Sequence, residues 1–190
     1  MNREEFRELC EKTRSHRSFY PCEIGRGELL EMVEAARLAP STKNSQEVRY
    51  HLVESGKTAE EIFPFTRWAG MIEWNPEIEE APSAYILLCS KLQPGITESF
   101  LNFDMGAASQ NIILTARTMG YGTCIIAAYN KKEVEKILGI SSEYKSHILI
   151  AIGKPKDEVE IVDAENGETK YYREQNKNFV PKLSLNELVI

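Results

Sequence analysis

The spacing of apolar residues along the chain predicts five helices. Apolar side chains recur every three or four positions in residues 3–13, 27–38 and 98–119, which is the pattern of an amphipathic helix. In residues 98–119 the apolar positions extend almost all the way round, so this helix is expected to be deeply buried. Residues 57–63 and 131–138 give two shorter helical patterns. The chain is therefore predicted to be substantially helical, with its longest helix inside the fold.

Four strands are predicted between these helices. Residues 48–54 place apolar side chains on alternate positions, as a strand with one buried face does. Residues 84–90, 123–128 and 147–153 are nearly continuous apolar runs, which are typical of strands buried on both faces. The alternation of helices and strands predicts one domain over residues 1–190, of the three-layer α/β or α+β class.

The last part of the chain has a different composition. Residues 156–190 are mostly polar, with scattered apolar side chains such as Tyr171 and Phe179. A segment of this kind cannot form a core alone, but it is too apolar for a free linker. We therefore expect residues 155–190 to form an extended C-terminal arm that wraps over a surface, that of a second subunit being one candidate.

Composition and charge exclude several classes of protein. The 190 residues suit one domain, and 42% hydrophobic with 27% charged residues argue against a disordered chain. The chain has 23 Lys and Arg residues and 29 Asp and Glu residues, and the resulting net charge of −6 disfavours nucleic acid as a partner. No apolar run approaches the roughly 18 residues of a membrane span, and the N-terminus lacks a signal-peptide core. We therefore expect a cytoplasmic protein that does not bind membranes.

Neither the cysteines nor the histidines have the spacing of a metal site. The four cysteines form no C-x-x-C pair, and the three histidines are far apart in the sequence. The cysteines are interpreted as reduced thiols that are mostly buried. No metal is expected.

A compact basic segment follows the first predicted helix. Residues 14–18 read R-S-H-R-S, which combines two guanidinium groups with two hydroxyls. Guanidinium N–H groups suit phosphate oxygens, and serine adds a neutral donor. The segment is therefore a candidate anion site, although a solvated basic turn that caps the helix also explains the same residues.

Two further segments have the residue types of a binding loop. Residues 39–46, A-P-S-T-K-N-S-Q, carry amides and hydroxyls that suit the edge of a planar heterocycle, although turns are also rich in Pro, Ser and Asn. Residues 119–123, M-G-Y-G-T, place two glycines where a helix gives way to a strand, so a flat ligand can approach the backbone. The order is helix then strand, which excludes a Rossmann dinucleotide motif.

Taken in order, these segments resemble the nitroreductase family of FMN enzymes. The resemblance covers R-S-H-R-S-F, then A-P-S-T-K-N-S-Q-E, then F-D-M-G-A-A-S-Q-N-I-I-L-T-A-R-T-M-G-Y-G-T-C, and finally the tail Y-Y-R-E-Q-N-K-N-F-V-P-K-L. It implies an α+β fold with α/β/α layers around a central mixed, mainly antiparallel sheet. It also implies a homodimer in which the C-terminal tail is exchanged between the chains.

The resemblance implies roles for the basic segment. Arg14 and Ser15 would bind the FMN phosphate and ribityl chain. Arg17 would reach the flavin pyrimidine edge, where two-electron reduction places negative charge near N1 and O2. A fixed guanidinium there favours reduction, so Arg17 is the predicted catalytic residue.

The resemblance assigns further cofactor contacts to three other segments. The loop would reach the flavin across the dimer interface, the glycine turn would lie against the flavin ring, and the tail would supply a base near the phosphate. These predicted contacts are Pro40, Ser41, Asn44, Gln46, Gly120, Gly122, Thr123 and Lys182. The sequence departs from the family pattern at Glu47, where proline is usual, and at Leu183, where arginine is usual.

The implied reaction is a ping-pong transfer through flavin N5. NADH or NADPH delivers a hydride and leaves, and a small-molecule acceptor such as a nitroaromatic or a quinone then takes the electrons. Two other interpretations stay open at this point: a flavin enzyme of different reaction, such as a dehydrogenase, a dehalogenase or a flavin-fragmenting relative, and a flavin carrier with little turnover. A structural dimer without cofactor is the least favoured.

Aromatic residues in segment 63–76 allow two interpretations. Phe65, Trp68 and Trp74 are candidates for a mobile lid over an aromatic acceptor. Core packing or dimer contacts explain them equally well.

Overall fold

The computed structural model describes residues 1–190 and contains six α-helices. Their bounds are α1 Arg3–Lys12, α2 Arg26–Arg37, α3 Lys57–Ile62, α4 Glu98–Thr118, α5 Lys131–Leu138 and α6 Leu185–Leu188. The first five confirm the helices predicted from apolar spacing. Capping fixes several ends: Asn2 and Glu5 form a capping box at α1, and Gly139 ends α5 in the left-handed region at φ +61°.

The eight strands form two separate sheets. Their bounds are β1 Phe19–Tyr20, β2 Arg49–Val53, β3 Ala84–Lys91, β4 Gly122–Ile126, β5 Tyr144–Pro155, β6 Glu158–Asp163, β7 Tyr172–Glu174 and β8 Lys177–Lys182. In the central sheet β5 pairs with β3 along one side, and with β4 and β1 along the other, while β2 pairs with the outer side of β3. These pairings are all antiparallel, and a parallel bridge between Ser15 and Thr123 adds the mixed character that was predicted.

Buried side chains on the two faces of the central sheet create the three layers. Alternate residues of β3 point to opposite faces: Ile86 and Leu88 join a core beneath α2 and α4, whereas Tyr85 and Leu87 join a core beneath α3 and α5. Because β3 is covered on both sides, its sequence is an uninterrupted apolar run. The predicted α+β fold of α/β/α layers is confirmed.

The long helix α4 is buried on one face only. Leu101, Met105 and Ile112 are almost fully buried on this face. Phe100 and Phe103 lie on the other side and are 51% and 68% exposed. The prediction that this helix is deeply buried is therefore confirmed for one face and wrong for the face that carries Phe100 and Phe103, because no element of the single chain covers that face.

The C-terminal segment is more structured than the predicted arm. Strands β6, β8 and β7 form a small sheet in that order, with a parallel β6–β8 pair and an antiparallel β7–β8 pair. Its sequence gave no strand signal because most side chains on both faces are polar or half exposed. Beyond this sheet, Leu185, Leu188 and Val189 are exposed. Exchange of the tail between two chains stays a prediction.

The four cysteines are free thiols, as predicted. Burial raises the pKa of both Cys89 and Cys124 to about 11, so both thiols are protonated near neutral pH. No helix of the chain is both long enough and apolar enough to cross a membrane.

Candidate functional site

The basic segment and the tail meet in one cleft of about 260 Å³. Its wall contains five of the predicted site residues together with side chains from α4, β4 and the C-terminal sheet. The lining residues are Thr13, Arg14, Ser15, Arg17, Gln110, Ile113, Thr123, Ile125, Tyr171, Val180 and Lys182. Three of these residues are bases and none is an acid, although the whole chain has a net charge of −6. The cleft is therefore suited to an anionic ligand.

Arg14 offers hydrogen-bonding capacity that the protein does not use. Its Nη2 donates to the carbonyl of Cys10 at 2.8 Å, and its Nε is buried without a partner. Burial lowers the pKa of this guanidinium, which nevertheless stays charged at any ordinary pH. A buried donor without a partner is costly, and a phosphate oxygen in the cleft would relieve that cost.

Arg17 is held in place at three points. Its backbone N–H donates to Asp157 at 3.0 Å, and its Nε donates to the carbonyl of Trp68 at 3.2 Å. Its Cζ lies 4.7 Å from the centroid of the Tyr171 ring, within the range of a cation–π contact. The guanidinium therefore sits at a defined place in the cleft wall.

The glycine turn has an internal packing role at Gly122. A Cβ atom added to Gly122 would lie 2.8 Å from Cδ2 of His16 and 2.9 Å from Cβ of Pro155. Glycine is therefore required for the close packing of the His16 ring on β4. Gly120 has φ +84° and ends α4, with open space beside it. The contact of both glycines with a flavin ring stays a prediction.

The loop with the other predicted contacts lies in a second cleft, also of about 260 Å³. Pro40, Ser41 and Gln46 line this cleft, and Asn44 lies in the same loop. The second cleft shares no lining residue with the basic cleft. One chain therefore divides the predicted cofactor residues between two clefts, and Gly120 and Gly122 line neither of them.

A buried carboxylate on α4 holds this loop in a strained conformation. The backbone N–H and the hydroxyl of Thr42 donate to Asp104 Oδ1 at 2.8 and 2.9 Å. Lys43, Asn44 and Gln46 have φ of +53°, +54° and +50°, a region that non-glycine residues rarely adopt. Asp104 is not among the residues predicted from the sequence. An acidic residue on the same apolar helix face as Leu101 and Ala108 was the signal that could have identified it.

We expect Asp104→Ala to destabilise the protein by about 2 kcal/mol, because it removes two hydrogen bonds to a charged acceptor. Urea unfolding of the purified variant measures this change. Asp104→Asn is the matched control, since it retains one oxygen acceptor for Thr42 and should lose less stability. An Asp104→Ala protein as stable as the wild type would show that the loop does not depend on Asp104.

The departure at Glu47 has a structural explanation. Its Oε1 accepts a hydrogen bond of 2.9 Å from the backbone N–H of Gly95, in the connection between β3 and α4. The carboxylate therefore ties the loop to a neighbouring connection. Nothing in the structure explains leucine at position 183.

The aromatic residues of segment 63–76 are largely committed to packing. Trp68 is buried against Phe19 and Phe63, with ring centroids 6.2 and 5.9 Å away, and Phe65 packs on the same core. The ring of Trp74 lies 4.1 Å from the guanidinium Cζ of Arg173. The interpretation as core is confirmed for Trp68.

Comparison with known proteins places this sequence and fold in one family. The sequence model of the Nitroreductase family matches residues 10–154. A relative from Bacillus subtilis (strain 168), named "Putative NAD(P)H nitroreductase YdgI", is 27% identical over 81% of this chain and 90% of that protein.

Solved structures give the same result for the fold. A nitroreductase family protein from Clostridium novyi NT has a TM-score of 0.65 at 28% identity, over 79% of this chain and 86% of that chain. A Desulfovibrio desulfuricans protein solved in complex with FMN has a TM-score of 0.69 at 19% identity, over 100% and 96% of the two chains. The chain belongs to the nitroreductase family.

Proposed function

We propose that the protein is an FMN-dependent NAD(P)H oxidoreductase that reduces nitroaromatic, quinone or similar small-molecule acceptors as a homodimer. The observation that carries this proposal is the basic cleft, which Arg14, Arg17 and Lys182 line with no acidic residue among the lining side chains, although the whole protein is acidic. The family relatives support an NAD(P)H-linked reduction, and the Desulfovibrio desulfuricans structure supports FMN as the cofactor.

The residues of the cleft fit the two ends of FMN. Arg14, with its unpartnered Nε, Ser15 and Lys182 would hold the phosphate through charge and hydrogen bonding. Tyr171, Ile113 and Val180 would provide apolar surface for the remainder of the molecule. When bound, FMN supplies the two-electron chemistry, taking a hydride from NAD(P)H and passing electrons to the acceptor.

The chain itself supplies position and charge. Arg17 would face the pyrimidine end and balance the negative charge that accumulates there. Because its Nε is bonded to the Trp68 carbonyl and its guanidinium lies on the Tyr171 ring, it needs little rearrangement to do so. Pro40, Ser41, Asn44 and Gln46 would contact the same cofactor from the partner chain.

Absorption spectroscopy under anaerobic conditions tests this proposal. Purified protein supplied with FMN and freed of excess cofactor is expected to keep a flavin spectrum, which NADH or NADPH bleaches and an added quinone or nitroaromatic restores. Riboflavin, which lacks the phosphate, is the matched control and should bind much more weakly. A protein that retains no FMN would contradict the proposal, and one that binds FMN without being bleached would be a flavin carrier.

A further inference from the structure

A buried carboxylate lies directly behind the basic segment. The side chain of Asp157 is fully buried and accepts three hydrogen bonds. The donors are Nδ1 of His16 at 3.0 Å, the backbone N–H of Arg17 at 3.0 Å and Nδ2 of Asn178 at 2.8 Å. No lysine or arginine forms an ion pair with Asp157, so these hydrogen bonds compensate for the burial of its charge.

The three donors connect two distant parts of the chain. His16 and Arg17 belong to the segment whose other side lines the basic cleft, and Asn178 is a fully buried residue of β8. Nη1 of Arg173 donates to Asn178 Oδ1 at 3.2 Å, which extends the network to β7. Asp157 therefore links the C-terminal sheet to the backbone that carries Arg17.

The packing of His16 makes this backbone position specific. The His16 ring contacts Gly122, and the backbone N–H of His16 donates to the Thr123 carbonyl at 2.8 Å. Both contacts attach the segment to β4. From the opposite side, Asp157 holds both the ring of His16 and the N–H of Arg17. Replacing Asp157 would therefore displace Arg17, although Asp157 itself does not line the cleft.

We propose that Asp157, acting through His16 and Arg17 and fixed by Asn178, is the positioning residue for the Arg17 guanidinium. The expected effects of Asp157 on FMN binding and potential rest on the proposed function. The structural part of the inference, the ordering of residues 14–18, is independent of any cofactor. Asp157 acts through another residue, because it does not line the cleft.

The two oxygens of Asp157 allow a matched pair of variants. Oδ2 accepts from Arg17 and Asn178, and Oδ1 accepts from His16 only. Asparagine retains an oxygen for the first two donors, and its amide can donate to His16 if that ring takes its other tautomer. Asp157→Asn therefore removes the charge and keeps the geometry, whereas Asp157→Ala removes both.

Three measurements separate positioning from a purely structural role. Asp157→Ala is expected to weaken FMN binding about tenfold, the scale of one lost charge-assisted contact, and to lower the FMN midpoint potential. In the protein without FMN, amide hydrogen exchange in residues 14–18 should become about tenfold faster, since the Arg17 N–H loses its acceptor. In Asp157→Asn, the FMN affinity, the FMN midpoint potential and the exchange rate of residues 14–18 should all lie closer to the wild-type values than in Asp157→Ala.

The control is Lys156→Met, at the residue that precedes Asp157 in the sequence. This substitution breaks the 2.7 Å ion pair between Lys156 and Glu80. It should leave FMN affinity, potential and exchange in residues 14–18 unchanged. If Asp157→Ala does not fold, Asn178→Ala is measured instead, and a severalfold loss of FMN affinity is expected.

Folded Asp157→Ala or Asn178→Ala protein with wild-type affinity and potential would overturn the inference. A full loss in Asp157→Asn would overturn it as well, because charge rather than geometry would then be responsible. A wild-type protein that binds no FMN would contradict the proposed function instead, and the exchange rates of residues 14–18 would still decide the role of Asp157.

Discussion

Replacing Arg17 with alanine is expected to slow reduction of the FMN-loaded enzyme by NAD(P)H about 100-fold, the scale seen when one preorganised electrostatic group is removed. The midpoint potential of the cofactor should fall at the same time. The physical reason is that a fixed positive charge beside the pyrimidine ring favours the state carrying additional electrons. Anaerobic stopped-flow spectroscopy gives the rate, and a redox titration gives the potential.

Two further variants show whether the effect is specific to this guanidinium. Arg17→Lys keeps the charge but has no Nε donor for the Trp68 carbonyl, so an intermediate loss is expected. Arg7→Ala removes an arginine whose side chain is 80% exposed on α1, and it should leave both quantities unchanged. An Arg17→Ala enzyme with wild-type rate and potential would show that Arg17 does not stabilise charge.

The second large effect is expected from Phe103→Glu, which should dissociate the proposed homodimer. Phe103 is 68% exposed on α4, close to Phe100 in the sequence, and an apolar surface of this kind usually marks an interface. A buried carboxylate at such a position should weaken association about 100-fold or more, the scale of a central interface residue. Analytical ultracentrifugation over a range of protein concentrations measures the change.

The same substitution should also release FMN, although Phe103 lines neither cleft. Eight of the eleven predicted cofactor residues line one or the other of two separate clefts in one chain, so in the proposed assembly a second copy would complete the site. Ile78→Glu is the control, because Ile78 is comparably exposed, at 52%, in a different part of the chain. A Phe103→Glu protein that stays dimeric, or a monomer with wild-type FMN affinity, would contradict this assembly.

The central layers were predictable because their signals are local. Residues 84–90 form one apolar run since β3 is covered on both faces, and α2 has one apolar face since only that face meets the core. The C-terminal sheet lacked such a signal. Its strands are short and largely polar, and their pairing depends on contacts between residues far apart in the sequence, such as Asp157 with Asn178.

The candidate site was predictable where its residues are consecutive. Residues 14–17 form a recognisable basic segment, and the structure places three of its residues in the cleft. Asp157 and Tyr171 could not be found in this way, because a single acid or tyrosine in a polar stretch has no distinctive pattern. Their importance comes only from the folding of the C-terminal sheet beside the basic segment.

A crystal structure of the protein grown with FMN would show whether the basic cleft is the cofactor site. The phosphate should contact Arg14, Ser15 and Lys182, the Arg17 guanidinium should lie within hydrogen-bonding distance of the pyrimidine edge, and residues 40–46 of a second chain should complete the site. FMN bound elsewhere, or bound with no cationic side chain at its pyrimidine ring, would contradict the proposed roles of the basic cleft and of Arg17.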